Sequence, residues 1–272
     1  MVSREKSHWA WGYDDAFPDE ASRGRLRARV EGTLGVTLTD EAPVPLASIT
    51  LPPARFAPPQ ELRAFGSDAP RDRVRHSYGR GYRDLVRAFR GEFASPPDWV
   101  FSPETEDQIA SLLHYCERED IQVVPFGGGT SVVGGVESVL EKGFRGVATL
   151  SLARLDKVLE VNATDRTARI QAGARGPVIE EGLAPHGLTL RHYPQSFEFS
   201  TLGGWIATRA GGHFATLHTH IDDFVQSIRM ITPRGRVETR HVPPSGAGPS
   251  SDRLILGSEG AFGVIVEASL RV

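Results

Sequence analysis

Pro125-Phe126-Gly127-Gly128-Gly129-Thr130-Ser131-Val132-Val133-Gly134-Gly135, directly after the apolar run Ile121-Gln122-Val123-Val124, is the stretch on which the fold turns. Five glycines let the backbone pass through positive φ and aim successive N–H groups at one anion, with no side chain in the way. Thr130 and Ser131 add hydroxyl donors. A P-loop would end in Gly-Lys-Ser/Thr, and no lysine lies between Lys6 and Lys142, which argues against a nucleoside triphosphatase. The dinucleotide pattern GxGxxG begun at Gly127 would place its third glycine at Val132, and residues 136–146 are not a clear amphipathic helix, so a Rossmann loop is excluded as well. A plain hairpin needs only two or three such residues, and glycine is costly in chain entropy. The stretch therefore reads as a strand delivering a phosphate cradle.

Composition sets the outer limits. With 39% hydrophobic and 24% charged residues over 272 positions, the chain has ample material for a large core. A net charge of −3 offers no general attraction to nucleic acid or to a membrane surface. No apolar run approaches the roughly 20 residues of a membrane span, and residues 1–10 lack the apolar centre of a signal peptide. The single cysteine, Cys116, falls in the periodic set Ile109, Leu112, Leu113, Cys116 and is expected inside a helix. A soluble, cytoplasmic protein fits these features.

Along the chain the pattern predicts an Arg-rich amphipathic helix over Glu20 to Leu34, a proline-rich connector (Pro43 to Pro59) and a second helix from Arg83 to Phe93. Strand 98–101 follows, then a helix begun at Ser102-Pro103-Glu104 and running to about Arg118. Further strands are expected over 121–125, 146–152, 157–162 and 168–172, the last two joined by a hairpin turn at 162–166. A helix over Gly176 to His186 should end at Gly187. The second half opens with helix Thr201 to Ala210 and supplies strands 224–232, 236–240 and 262–272. The expected class is α+β. The expected organisation is an N-terminal helical, proline-rich extension (1–95) and a binding domain (96–272) with lobes 96–193 and 194–272.

Four motifs in order resemble one family. They are PFGGGTSVVGG, PQSFEFSTLGGWIATRAGG (Pro194 to Gly212), MITPRGRVETR (Met230 to Arg240) and LGSEGAFGVIVEA (Leu256 to Ala268). Together with Trp9-Ala10-Trp11-Gly12-Tyr13 they are similar to the flavin domain of the alkyldihydroxyacetonephosphate synthases, FAD-linked oxidases of the vanillyl-alcohol oxidase and p-cresol methylhydroxylase superfamily. The resemblance implies a two-lobed FAD-binding domain of the p-cresol methylhydroxylase type, with FAD extended between the lobes. Pro125, Phe126, Gly127, Gly128, Gly129, Thr130 and Ser131 would hold the pyrophosphate. Phe126 stands where covalent relatives carry a histidine anchor, so the FAD is expected to be non-covalent. Gln195, Ser196, Phe199, Ser200 and Thr201 precede a helix whose N-terminus favours negative charge, with Ser200 or Thr201 as its cap. Gly203-Gly204 and Gly211-Gly212 flank that helix and suggest close contact with a flat ligand. Thr208, Arg209, Ala210 and Gly211 follow on it; Arg209 is either a phosphate or flavin-carbonyl contact or a solvated helix arginine. Glu259, Gly260, Ala261, Phe262, Gly263, Val264 and Ile265 are expected to run along the flavin.

The same resemblance implies a flavin-dependent transferase that exchanges acyl for alkyl on a ketose phosphate through flavin N5. The alternatives are an FAD-linked oxidase or dehydrogenase of a 2-hydroxy acid or other alcohol, and an inactive FAD-binding fragment. The family's catalytic cap follows the flavin domain, so no catalytic residue is assigned and a cap polypeptide encoded downstream is expected, beside a small-molecule substrate and a second copy of the chain. Pro243 to Pro249 departs from the synthases in lacking their Gly-Pro-Arg. His213, His218 and His220 with Asp222 and Asp223 suggest a metal site, but so short a span lacks the usual distant ligand, and no metal is expected. His76 to Tyr82 reads equally as a substrate mouth or as a turn before a helix.

Overall fold

The computed structural model describes residues 4–216, 220–242 and 248–272. Helix α1 (Glu20–Leu34) starts at the Asp19 cap, which accepts the Ser22 N–H, and ends at Gly35, whose φ of 65° no β-carbon obstructs. It buries none of its residues, so the amphipathic packing expected of it is absent: its leucines point outward, Leu26 being 58% exposed. Short helices α2 (Gln60–Arg63) and α3 (Pro70–Arg75) and strand β1 (Gly66–Ser67) follow, then α4 (Tyr82–Phe89). That helix stops four residues before the predicted end, ahead of Gly91 at positive φ.

Strands β2 (Trp99–Phe101), β3 (Ile121–Phe126) and β4 (Gly146–Ser151) form, with β1, a sheet of order β1-β2-β4-β3. β4 is parallel to both β2 and β3, and every residue of β2 and β4 is buried, as a sheet covered on both faces requires. Between β2 and β3 runs α5 (Glu106–Arg118), which buries Ile109, Leu112, Leu113 and Cys116 at helical spacing. Its cap is Thr105, which accepts the Gln108 N–H, and not Ser102, which with Pro103 lies outside the helix. Burial raises the Cys116 thiol to about 12, which keeps it protonated and inert.

A second, wholly antiparallel sheet has the order β5-β6-β9-β7-β8, from β5 (Val158–Asn162), β6 (Thr167–Gln171), β7 (Val225–Thr232), β8 (Gly235–Glu238) and β9 (Val264–Arg271). The hairpin of β5 and β6 is as predicted. Its sheet is not the one expected, because both strands lie within 96–193 yet β6 pairs with β9, aligning Ala168 with Leu270 and Ile170 with Ala268. Helix α6 (Gly176–Leu183) continues as a 3-10 turn to His186 and is closed by Gly187 at positive φ. Helices α7 (Leu202–Thr208), α8 (Ile221–Phe224) and α9 (Ser251–Ile255) complete the chain.

One core spans both sheets, and Phe56 and Leu62 from the first 95 residues belong to it. A satellite cluster of Val74, Tyr78, Ala88 and Phe93 sits under the N-terminal segment. Asp98, 1% exposed, joins the connector to the first sheet by accepting the Arg55 backbone N–H (2.8 Å), the Arg55 guanidinium (2.9 Å) and the Val147 N–H (2.7 Å). Asp98→Ala should cost about 3 kcal/mol, because charge-assisted bonds are lost and a buried N–H is stranded. Urea unfolding measures it; a loss within error of zero would show that the connector does not rely on Asp98.

Candidate functional site

The glycine loop leaves the end of β3 and folds against the segment that enters α7. Their backbones meet because neither Gly127 nor Gly128 has a side chain: a β-carbon at Gly127 would overlap Thr201 Oγ1, and one at Gly128 would overlap the Phe199 carbonyl oxygen. Gly129 has φ 70°, and its missing β-carbon leaves room for the Phe126 ring. That ring is buried under the loop, 4.5 Å between centroids from His76.

Between the loop, α7 and residues 259–265 lies a cleft of about 680 Å³, part of it open to solvent. Of the predicted residues, Pro125, Phe126, Gly127, Ser131, Thr208, Glu259, Gly260, Gly263 and Ile265 line it. Gly203 and Gly204, singled out for their missing side chains, line it too. Sequence reasoning missed Val133, Gly135, Val136, Leu152 and Ala207 as lining residues. A small residue one helical turn after Gly203 was the available signal for Ala207.

The other predicted residues frame the site in different ways. Gly128, Gly129 and Thr130 form the loop itself. The turn from Gln195 and Ser196 carries Phe199 to the loop, with the Ser200 N–H on the Ser196 carbonyl at 2.8 Å. Ser200 Oγ does not cap α7: it accepts the Trp205 indole N–H (2.7 Å) and donates to the Ser196 carbonyl (2.8 Å). Thr201 is the cap residue by position, yet its hydroxyl makes no cap bond and is buried without a protein partner. Ser131 Oγ accepts the Val133 and Gly135 amides at 3.4 and 3.0 Å, stiffening the loop. Ala261 and Phe262 precede β9, and Val264, its first residue, is buried. The turn before them is fastened to α7 by the Glu259 N–H on the Ala207 carbonyl (3.0 Å).

Arg209 is neither a solvated arginine nor free for a ligand. At φ 52° it closes α7 and forms an ion pair with Asp222, whose carboxylate also faces Arg253 at 3.7 Å. Burial works to raise the Asp222 carboxyl, but the Arg209 hydrogen bond and both positive charges outweigh it and hold it below the ordinary range. Ala210 and Gly211 lead from this cap towards His220, whose ring approaches Gly211. His218, from the predicted histidine group, lies outside the described residues, as do residues 243–247 of the departure before the last helix. Of the His76 to Tyr82 segment, Gly79 and Gly81 press on the Ser131 and Val132 carbonyls, and the Arg80 N–H reaches the Ser131 carbonyl at 2.6 Å, so this stretch supports the loop from behind.

The arrangement fits FAD in three respects. The cleft walls are small residues, which admit a flat ring system; the loop above has no β-carbon over three successive positions; and the Thr201 and Ser258 hydroxyls are buried without protein partners.

Two predictions follow from this geometry. Gly128→Ala should destabilise the fold by about 2 kcal/mol and weaken FAD about tenfold, since its methyl group would separate the loop from Phe199. Gly24→Ala, in exposed α1, should stabilise by up to about 1 kcal/mol. Flavin-fluorescence titration and thermal melts check both, and wild-type affinity in Gly128→Ala would remove the close contact from the site's requirements. The second concerns His192, 1% exposed against Trp205 and Phe224, which burial and then the charge of His220 lower to about 4. Its folded pKa lies below the unfolded value, so the stabilisation is full above about pH 6.5 and lost as pH falls towards 4, by about 3 kcal/mol at most. His192→Phe should flatten that part of the stability profile in urea titrations at stepped pH; an unchanged slope would refute the assignment.

Comparison with known proteins agrees with the geometry. Residues 97–240, over half of the chain, match the family described as FAD binding domain. The chain is 36% identical over 241 residues to an alkyldihydroxyacetonephosphate synthase of Dictyostelium discoideum, covering 86% of this chain and 39% of that protein. It is 36% identical over 200 residues to the alkyldihydroxyacetonephosphate synthase of Trypanosoma brucei brucei, covering 74% and 32%. A solved structure of alkyldihydroxyacetonephosphate synthase superposes with a TM-score of 0.87 at 30% identity, covering 98% of this chain and 54% of that one. The chain thus spans about a third to two-fifths of these curated relatives. Its cofactor is FAD, and the chain belongs to the FAD binding domain family as an alkyldihydroxyacetonephosphate synthase-like member.

Proposed function

We propose that this chain is the FAD-binding portion of a flavoenzyme that exchanges acyl for alkyl on a ketose phosphate, as the names of its relatives suggest. The observation that carries the reading is the cleft closed by the glycine loop, α7 and residues 259–265, on a chain alike over 86% of its length to a synthase of that name. FAD would supply the electron-accepting ring. The loop amides over 127–131 would hold its pyrophosphate, the Thr201 hydroxyl would donate or accept beside them, and the small faces of Gly203, Gly204 and Ala207 would exclude water from the cleft wall.

Phe126 has no nucleophile for attachment, which supports non-covalent FAD. The substrate in this reading is a ketose phosphate lipid, and the groups that act on it come from a cap polypeptide outside this chain. A cytoplasmic setting and a homodimer complete the proposal; the buried, lone Cys116 and the lack, among the described residues, of a helix long and apolar enough to cross a membrane are compatible with it. A 2-hydroxy acid oxidase is the alternative, which the relatives' names favour less.

Acid precipitation of the flavin-loaded chain should leave all flavin in the supernatant. Anaerobic addition of an acyl ketose phosphate, together with an alkyl-for-acyl exchange assay on the chain joined to its cap polypeptide, tests the activity. Flavin retained in the pellet would sink the non-covalent assignment, and bleaching by 2-hydroxy acids without exchange would favour the alternative.

A further inference from the structure

Behind the glycine loop, three cations converge without counter-ions. Lys6 pairs its backbone with Tyr13, and its Nζ lies 5.7 Å from the centre of the Phe199 ring. Arg80 is anchored by its N–H to the Ser131 carbonyl, and its guanidinium reaches only the backbone carbonyls of Gly79 (2.9 Å) and Ser7 (3.1 Å). Arg175 caps α6 and is bridged through its backbone to Thr201. The three positions are thus tied to residues 199, 131 and 201, the backbone around the loop, and none of them lines the cleft.

All three side chains are half-buried, and among the described residues none forms an ion pair. Nearby acids are already engaged: Glu5 with Arg71 and Arg75, Asp84 with Arg87 and the Gly81 N–H. Arg75 stands at the edge, donating to the Lys6 carbonyl (2.7 Å), with its own Nε buried and unpartnered. Burial, then repulsion from Arg175, Arg80 and Arg75, lowers Lys6 to about 8. Burial likewise lowers Arg80, with Asp84 opposing and Arg75 adding to the effect. Like charges held together away from water are unfavourable unless an anion joins them.

We propose that Lys6, Arg80 and Arg175 form a phosphoryl-binding site behind the glycine loop, with Arg75 at its rim. Three positive charges suit a dianionic phosphoryl group better than a single carboxylate, and guanidinium groups match its oxygens in pairs. The phosphoryl group is either part of FAD or the phosphate ester of a second ligand. The site's existence does not rest on the flavin reading; only the choice between these sources does.

The test is calorimetric titration of the chain with inorganic phosphate at constant ionic strength, with acetate as comparison. Phosphate should bind saturably and acetate about tenfold more weakly. Lys6→Gln and Arg175→Gln should each weaken phosphate about tenfold, whereas Lys142→Gln and Lys157→Gln, both exposed, should not. Should Lys6→Gln fail to fold, Arg175→Gln carries the same expectation. Repeating the titration on chain loaded with FAD or with riboflavin separates the sources. Phosphate excluded by FAD but not by riboflavin assigns the site to the dinucleotide; phosphate still bound beside FAD assigns it to a second ligand. No saturable phosphate binding in any of these forms, or binding indifferent to both variants, would overturn the proposal even if FAD binds normally. Phosphate binding without any FAD binding would sink the flavin reading and leave this one standing.

Discussion

The contact on which this molecule depends is backbone against backbone at the junction of its two sheets. A β-carbon at Gly128 would strike the Phe199 carbonyl, one at Gly173 the Leu152 carbonyl, and one at Gly203 the Ala172 methyl. Each pair joins a segment leaving one strand to a segment entering or leaving another. Dispersion between closely packed atoms falls off steeply with separation, so a single methyl group at such a point moves two elements and not one side chain. The cleft exists because these glycines let the loop after β3, the start of α7 and the turn before β9 approach so closely.

Ion pairs hold the larger parts in register around that junction. Arg229 on β7 meets Glu106 of α5 at 3.3 Å, Glu238 of β8 at 2.9 Å and Glu267 of β9 at 3.0 Å, tying the helix of the first sheet to the second sheet. On the other flank Arg87 lies 4.0 Å over the Tyr78 ring and bonds both Asp84 and Glu137 at 2.6 Å, so the chain just past the glycine loop is fastened to α4. The first 95 residues are thus structural partners of the binding loop. A segment that looks accessory in sequence supplies part of the core, an edge strand and the rear support of the loop.

Much of this was readable residue by residue. Local signals sufficed wherever the cause is local: the α5 stripe of Ile109, Leu112, Leu113 and Cys116, the turn at 162–166, the cap at Gly187 and the glycine loop itself. They failed where two local solutions compete. Ser102-Pro103 and Thr105 are both sound helix starts, and the one used is that whose helix lays its apolar stripe on the sheet. Arg209 reads the same in sequence whether it faces solvent, a phosphate or a carboxylate; only the fold brings Asp222 to it. Thr201 stands at a cap position, yet its hydroxyl lies against Gly127 without a cap bond.

By itself the sequence determined the element types, the phosphate-cradle character of 125–135 and the family, because backbone conformation and periodicity depend on neighbours a few residues away. The tertiary structure decided the sheet to which β5 and β6 belong, which glycines serve packing and which face the cleft, and the convergence of Lys6, Arg80 and Arg175. Those depend on contacts between segments as many as 169 positions apart, where pairing is selected by the joint burial of two surfaces that no local pattern encodes.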